Sequence, residues 1–164
     1  MQGEKPKFNI FSYKIRSFNA NHKTLFCLFD NPSNYSKILV ISETWFIVDN
    51  VHEIQNYNSY HIMRTSGRSS EMSVFVKSFI TSTRISELSI VDDLIEITAV
   101  DIKLNDFSAI ILFSIYRPHS RTIENFVVVT REILEHRVCA IETSLCLVII
   151  NVNLLLSNTY VFFL

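Results

Sequence analysis

Apolar and polar positions alternate loosely over residues 8–16, which predicts a strand, and residues 19–21 read as an Asn-rich turn able to cap a helix. That helix would turn Leu25, Phe26 and Phe29 to one face, and Asn31, Pro32 and Ser33 would end it. The unbroken apolar run 38–41 has the length of a buried parallel strand, and it stops at Ser42 and Glu43. Further strands are predicted at 59–63, 72–76, 84–90, 95–104 and 109–116, together reading as a meander. Ser120 or Thr122 can cap a second helix with Ile123, Phe126, Val127, Thr130, Ile133 and Leu134 on its face, and His136 and Arg137 suit its C-terminal dipole. A last apolar run begins at Leu145. Strand, helix, strand, several strands, helix, strand is the order of an α/β layered domain with helices outside its sheets. In such domains chemistry gathers just beyond strand ends, which singles out Glu43.

The 164 residues are 48% hydrophobic and 19% charged, enough for one domain with a core and incompatible with a disordered segment. A formal charge of -1 means that any nucleic-acid contact must come from a local patch. Cys27, Cys139 and Cys146 form no CxxC pair, and their odd number cannot close a disulfide set, so an intracellular setting is expected, with nothing to separate nucleus from cytoplasm. Residues 1–7 are polar and carry no apolar run, which speaks against a secretory signal. Gly3 and Gly67 are the only glycines, where average usage is about 7%, so tight turns must rely on Asn, Asp and Ser. His136 and Cys139 have a spacing that can hold zinc but no second pair to complete a site, and both read as structural. There is no G-x-S-x-G elbow and no Gly-rich phosphate loop.

A series of short motifs then changes the picture. K-I-R-S-F stands at 14–18, S-E-T-W at 42–45, Tyr57 and Tyr60 in a Y-x-x-Y, R-T-S-G-R at 64–68, V-F-V-K at 74–77, Y-R-P at 116–118 and I-N-V-N at 150–153. In this order the chain resembles the endonuclease domain of non-LTR retrotransposons, a branch of the endonuclease/exonuclease/phosphatase superfamily. The resemblance covers roughly residues 9–156. It implies an α/β fold, an incomplete four-layer sandwich of mixed sheets with outer helices. Residues 1–7 would be a tail, 8–156 a truncated endonuclease-like domain and 157–164 an apolar C-terminal tail.

The resemblance also assigns roles. Glu43 matches the carboxylate that holds Mg²⁺. Tyr116 and Asn153 match groups that steady the scissile phosphate, and Asn151 replaces the Asp that orients or deprotonates the attacking water, a proton an amide cannot accept. Arg64, Arg68 and Arg117 match nucleic-acid contacts, with Lys77 as a further cation. Lys14 replaces an Asn and would set an ammonium beside Glu43, in competition with the metal. Ser69, Ser70 and Glu71 replace loop glycines, Ile150 replaces the glycine of the G-D-F-N motif, and the S-D-H motif of the family does not follow.

The preferred expectation is therefore a catalytically inactive remnant with at most weak DNA affinity, no small-molecule cofactor and doubtful Mg²⁺ binding. An active Mg²⁺-dependent phosphodiesterase is the alternative. A third reading is a membrane tail anchor at 145–164, twenty residues without a charge. Asn151, Asn153, Ser157, Asn158 and Thr159 interrupt it, which disfavours a membrane. The same apolar end is expected to fold back, self-associate or aggregate.

Overall fold

The computed structural model describes residues 9–29, 36–46, 53–62, 72–92, 95–105, 108–117, 122–133, 135, 145–151 and 159–163. In chain order the elements are β1 (Ile10–Lys14), α1 (Phe18–Phe29), β2 (Ile38–Ser42), β3 (Tyr57–His61), β4 (Met72–Lys77), β5 (Ser82–Arg84), a 3-10 turn (Ser86–Leu88) and β6 (Ile90–Val91). They continue with β7 (Glu96–Asn105), β8 (Ser108–Tyr116), α2 (Ile123–Ile133), β9 (Leu145–Asn151) and β10 (Thr159–Phe163). The first sheet has the order β1-β2-β4-β3 and the second β10-β9-β8-β7-β5, with β6 beside β7. Both parallel pairs, β1 with β2 and β8 with β9, are joined across a helix, as parallel neighbours require.

Alternation along the strands builds the layers. Ile38 and Val40 of β2 and Met72, Val74 and Val76 of β4 face Val100 and Ile102 of β7 and Ile110, Leu112 and Tyr116 of β8 in one buried cluster between the sheets. The residues between them point the other way. Leu39, Ile41 and Phe75 pack under α1 with Phe18 and Leu25. Ile97, Ala99, Ile111, Phe113 and Ile115 pack under α2 with Phe126. The result is helix, sheet, sheet, helix: the four-layer α/β sandwich expected. Each such fully buried aliphatic or aromatic side chain contributes about 1.5–3 kcal/mol, so the central cluster is the main source of cohesion between the sheets.

Several local expectations are corrected. Residues 19–21 are not a turn but lie in the first part of α1, where the Asn21 side-chain amide donates to the carbonyls of Ile15 and Arg16 at 3.0 and 2.7 Å. The stretch 84–90 is not one strand; it breaks into the end of β5, the 3-10 turn and β6, because Ser89 turns its hydroxyl back to the Ile85 carbonyl and also accepts from the Ala99 amide. The meander is divided between two sheets, β3 and β4 in the first and β5 to β8 in the second. On α2 the buried residues are Phe126 and Thr130, with Val129 and Ile133 against the core, while Ile123 and Val127 are exposed. Within the run weighed as a third, disfavoured membrane-anchor reading, residues 145–151 and 159–163 form β9 and β10, paired antiparallel, and no helix among the described residues is long and apolar enough to cross a membrane.

Candidate functional site

The polar residues of the inter-sheet layer collect at one end of the sandwich. In the first sheet the terminal register row is Lys14, Ser42 and Met72. In the second it is Glu96, Tyr116 and Asn151. The two rows belong to the same end, because the Ser114 hydroxyl, one inward position before Tyr116, meets the Met72 thioether across the interface. Alternation from the buried Val40, Val100 and Leu112 turns Ser42, Glu96, Thr98, Ser114 and Tyr116 into that layer as well. A hydrocarbon core thus gives way, over the last inward positions of the strands, to hydroxyls and carboxylates.

Backbone geometry fixes Glu43 at the rim. β1 and β2 both end in left-handed residues, Arg16 and Ser17 at φ 51° and 77°, Glu43 and Trp45 at φ 56° and 52°. For residues with a Cβ such conformations cost on the order of 1–3 kcal/mol each and persist only where the surroundings hold them. Here the two loops hold each other: the amides of Ile15, Ser17 and Phe18 donate to the carbonyls of Ser42, Glu43 and Thr44 at 3.0, 2.8 and 2.9 Å. Glu43 is 3% exposed. Its Oε1 lies 2.7 Å from the Lys14 ammonium, which reaches it from the neighbouring strand end.

Tyr116 is fully buried at the end of β8, with Arg117 following it, 8% exposed. Arg117, which the resemblance offers as a DNA contact, is thus largely buried beside Tyr116. Lys77 is at the opposite end of β4, where its ammonium sits 4.0 Å over the Tyr57 ring, and it does not join the site. Asn151 takes the register position beside Tyr116. Asn153, Arg64, Arg68, His136 and Cys139 lie outside the described residues.

Two residues at this end carry no signal in the sequence. Glu96 opens β7 directly opposite Tyr116 and is 1% exposed, so among the described residues the buried and half-buried groups here include two carboxylates, Glu43 and Glu96, and two cations, Lys14 and Arg117. His61, at the end of β3, faces the α1 layer: its Nδ1 is 2.8 Å from the Ser73 hydroxyl, and its ring meets Phe46 and Phe75 edge-on at 5.1 and 5.4 Å. Burial lowers its pKa to about 4, so the ring is neutral near pH 7. Only the cross-strand register, which no local motif encodes, brings Glu96 and His61 to this end.

A pair of mixed sheets with outer helices is also the architecture of solved structures that include DNA endonucleases. The structure superposes on the endonuclease domain of TRAS1, a telomere-specific non-LTR retrotransposon, with a TM-score of 0.62 at 12% identity, covering 88% of this chain and 60% of that one. It superposes on D. rerio TDP2 complexed with single strand DNA product, with a TM-score of 0.64 at 10% identity over 92% and 62% of the two chains. An AP endonuclease from Archaeoglobus fulgidus gives 0.58 at 14% identity over 88% and 56%. The fold is that of the endonuclease/exonuclease/phosphatase proteins. The chain spans about 60% of the length of these solved structures. No protein-family model and no curated protein matches it. Within the endonuclease/exonuclease/phosphatase fold, the rim built from the ends of β1, β2, β7, β8 and β9 is the candidate site.

Proposed function

We propose that this chain is a retrotransposon-type DNA endonuclease domain that has lost catalysis while keeping the fold. The observation that carries the reading is the ion pair of Lys14 with Glu43, 2.7 Å long, on a carboxylate that is almost wholly buried. A divalent cation such as Mg²⁺ needs oxygen ligands and room for its retained waters. At Glu43 an ammonium already lies against Oε1, so the residues present do not fit the metal. Asn151, at the register position beside Tyr116, adds to this, since an amide cannot take a proton from water, and loss of a general base costs roughly 10²- to 10⁴-fold.

The purified chain is expected to nick supercoiled plasmid in Mg²⁺ or Mn²⁺ no faster than its Glu43→Ala variant. Nicking that the Glu43 change abolishes would establish the active phosphodiesterase instead. Asn151→Asp alone is expected to restore nothing, because catalytic groups of this kind act as a unit.

A further inference from the structure

The Lys14–Glu43 pair is more than an obstacle to a divalent ion, because the fold fixes Glu43 where it needs a cation. Its backbone is clamped: the Ser17 amide donates to its carbonyl at 2.8 Å, with the Ile15 amide on Ser42 and the Phe18 amide on Thr44 at 3.0 and 2.9 Å, and Glu43 itself is held at φ 56°. Ser42 and Thr44 beside it are each 1% exposed, so the carboxylate stays inside the protein as long as that clamp holds. A carboxylate kept from water in this way requires a compensating charge. The strand register supplies one. Lys14 pairs with Ser42 across β1 and β2, in the row just before Glu43, and from there its ammonium lies 2.7 Å from Oε1. The lysine side chain keeps 29% of its surface and the glutamate 4%, so the cation is the member in touch with solvent and the anion the enclosed one.

We infer that Lys14 is the resident cation of this site, an ammonium built into the chain that takes the place of a divalent ion at Glu43 and makes the folded rim independent of metal. The inference rests on the reading proposed above and deepens it: that reading concerns lost chemistry, whereas this one gives Lys14 a structural role and makes a single side chain the barrier between Glu43 and a divalent ion. The chemistry favours the substitution. A tethered ammonium brings one positive charge to one negative charge, whereas a divalent ion must shed waters and find further oxygen ligands. Removing the ammonium leaves an enclosed carboxylate beside a gap of lysine size that opens to solvent, the setting in which a hydrated divalent ion becomes the available counter-charge.

The test reads the metal dependence of stability and involves no activity. Melting temperature is measured in EDTA and in millimolar Mn²⁺, and bound Mn²⁺ is counted by electron paramagnetic resonance. Wild type and Lys14→Arg, which keeps the charge, are expected to melt alike in the two buffers. Lys14→Asn is expected to melt below wild type in EDTA and to rise by at least about 3 °C in Mn²⁺, with one ion bound per chain. Adding Glu43→Gln should abolish both the rise and the bound ion. Lys14→Ala, which leaves the same gap without an amide, is measured in parallel. If neither Lys14→Asn nor Lys14→Ala responds to Mn²⁺, the resident-cation role is overturned, while the loss of catalysis, which plasmid nicking reads separately, still stands. Stabilisation of the wild type by Mn²⁺ that Glu43→Gln removes would overturn both.

Discussion

A carboxylate that is 3% exposed and an ammonium that keeps about a third of its surface form the Lys14–Glu43 pair, and the asymmetry decides what each change does. Lys14→Ala strands Glu43 in a low-dielectric site. Full burial of both partners would make that cost about 3–5 kcal/mol, and the exposure of Lys14 reduces it to roughly 1–3 kcal/mol. Adding Glu43→Gln to Lys14→Ala should recover part of the loss, and urea denaturation of the single and double variants measures the coupling; independent effects would show that the pair holds nothing. His61 makes a pH prediction of definite sign. In the native chain burial lowers its pKa to about 4, whereas in the unfolded chain it titrates at about 6.5. The unfolded state therefore binds more protons between those values, so stability is lost as pH falls from about 6.5 towards 4, by about 2–3 kcal/mol in all. The groups around the ring are Ser73, Phe46 and Phe75, with the Arg84 guanidinium on the His61 carbonyl. Carboxylates titrate in the same range, so the measurement is the difference between wild type and His61→Gln in urea at pH 7 and pH 4.5. A parallel pH dependence in the two proteins would remove His61 as the cause.

The elements show which parts of the fold a local reading can reach. Runs such as 38–41 and 109–116 were legible as strands because burial on both faces leaves few polar positions to confuse the pattern. The rim was legible in part, since Glu43 ends one of these runs and Tyr116 the other. Glu96 was hidden for a physical reason: it reaches the rim through cross-strand pairing with Tyr116, 20 positions away, just as His61 reaches its place under α1 by pairing with Ser73, 12 positions away. The face of α2 was misjudged by periodicity because Ile123, Val127 and Val128 are apolar yet exposed, and β-branched residues scatter round a helix that needs only Phe126, Val129, Thr130 and Ile133 to dock. That correction yields a contrast within one helix. Phe126→Ala should cost about 3–5 kcal/mol by leaving a cavity under α2, whereas Val127→Ala should stay within about 0.5 kcal/mol. Thermal and urea unfolding of the two variants decide it, and equal losses would put Val127 on the buried face after all.

For the molecule as a whole, the question is how the second sheet ends. Its order places β9 between β8 and β10, with β9 parallel to β8 and antiparallel to β10. Five register pairs, from Thr159 with Asn151 to Phe163 with Leu147, bind β10 to its neighbour. Residues 159–163 of the apolar segment that the sequence suggested as a tail are thus an outer strand paired on an inner one. This changes what removing it would do. On the sequence alone, deletion of residues 157–164 looks like the removal of a sticky end and should improve solubility. With β10 in place, the same deletion uncovers the backbone donors and acceptors of β9, whose sequence LCLVIIN has no charge to discourage another strand from pairing there. Native edges are usually blunted by lysine, proline or a bulge, and β9 carries no lysine or proline. The shortened chain is therefore expected to associate, giving a sedimentation coefficient that rises with concentration, while its far-ultraviolet circular dichroism keeps the β signal or gains in it. A shortened chain that stays monomeric at high concentration with an unchanged spectrum would mean that β10 contributes nothing to closing the sheet.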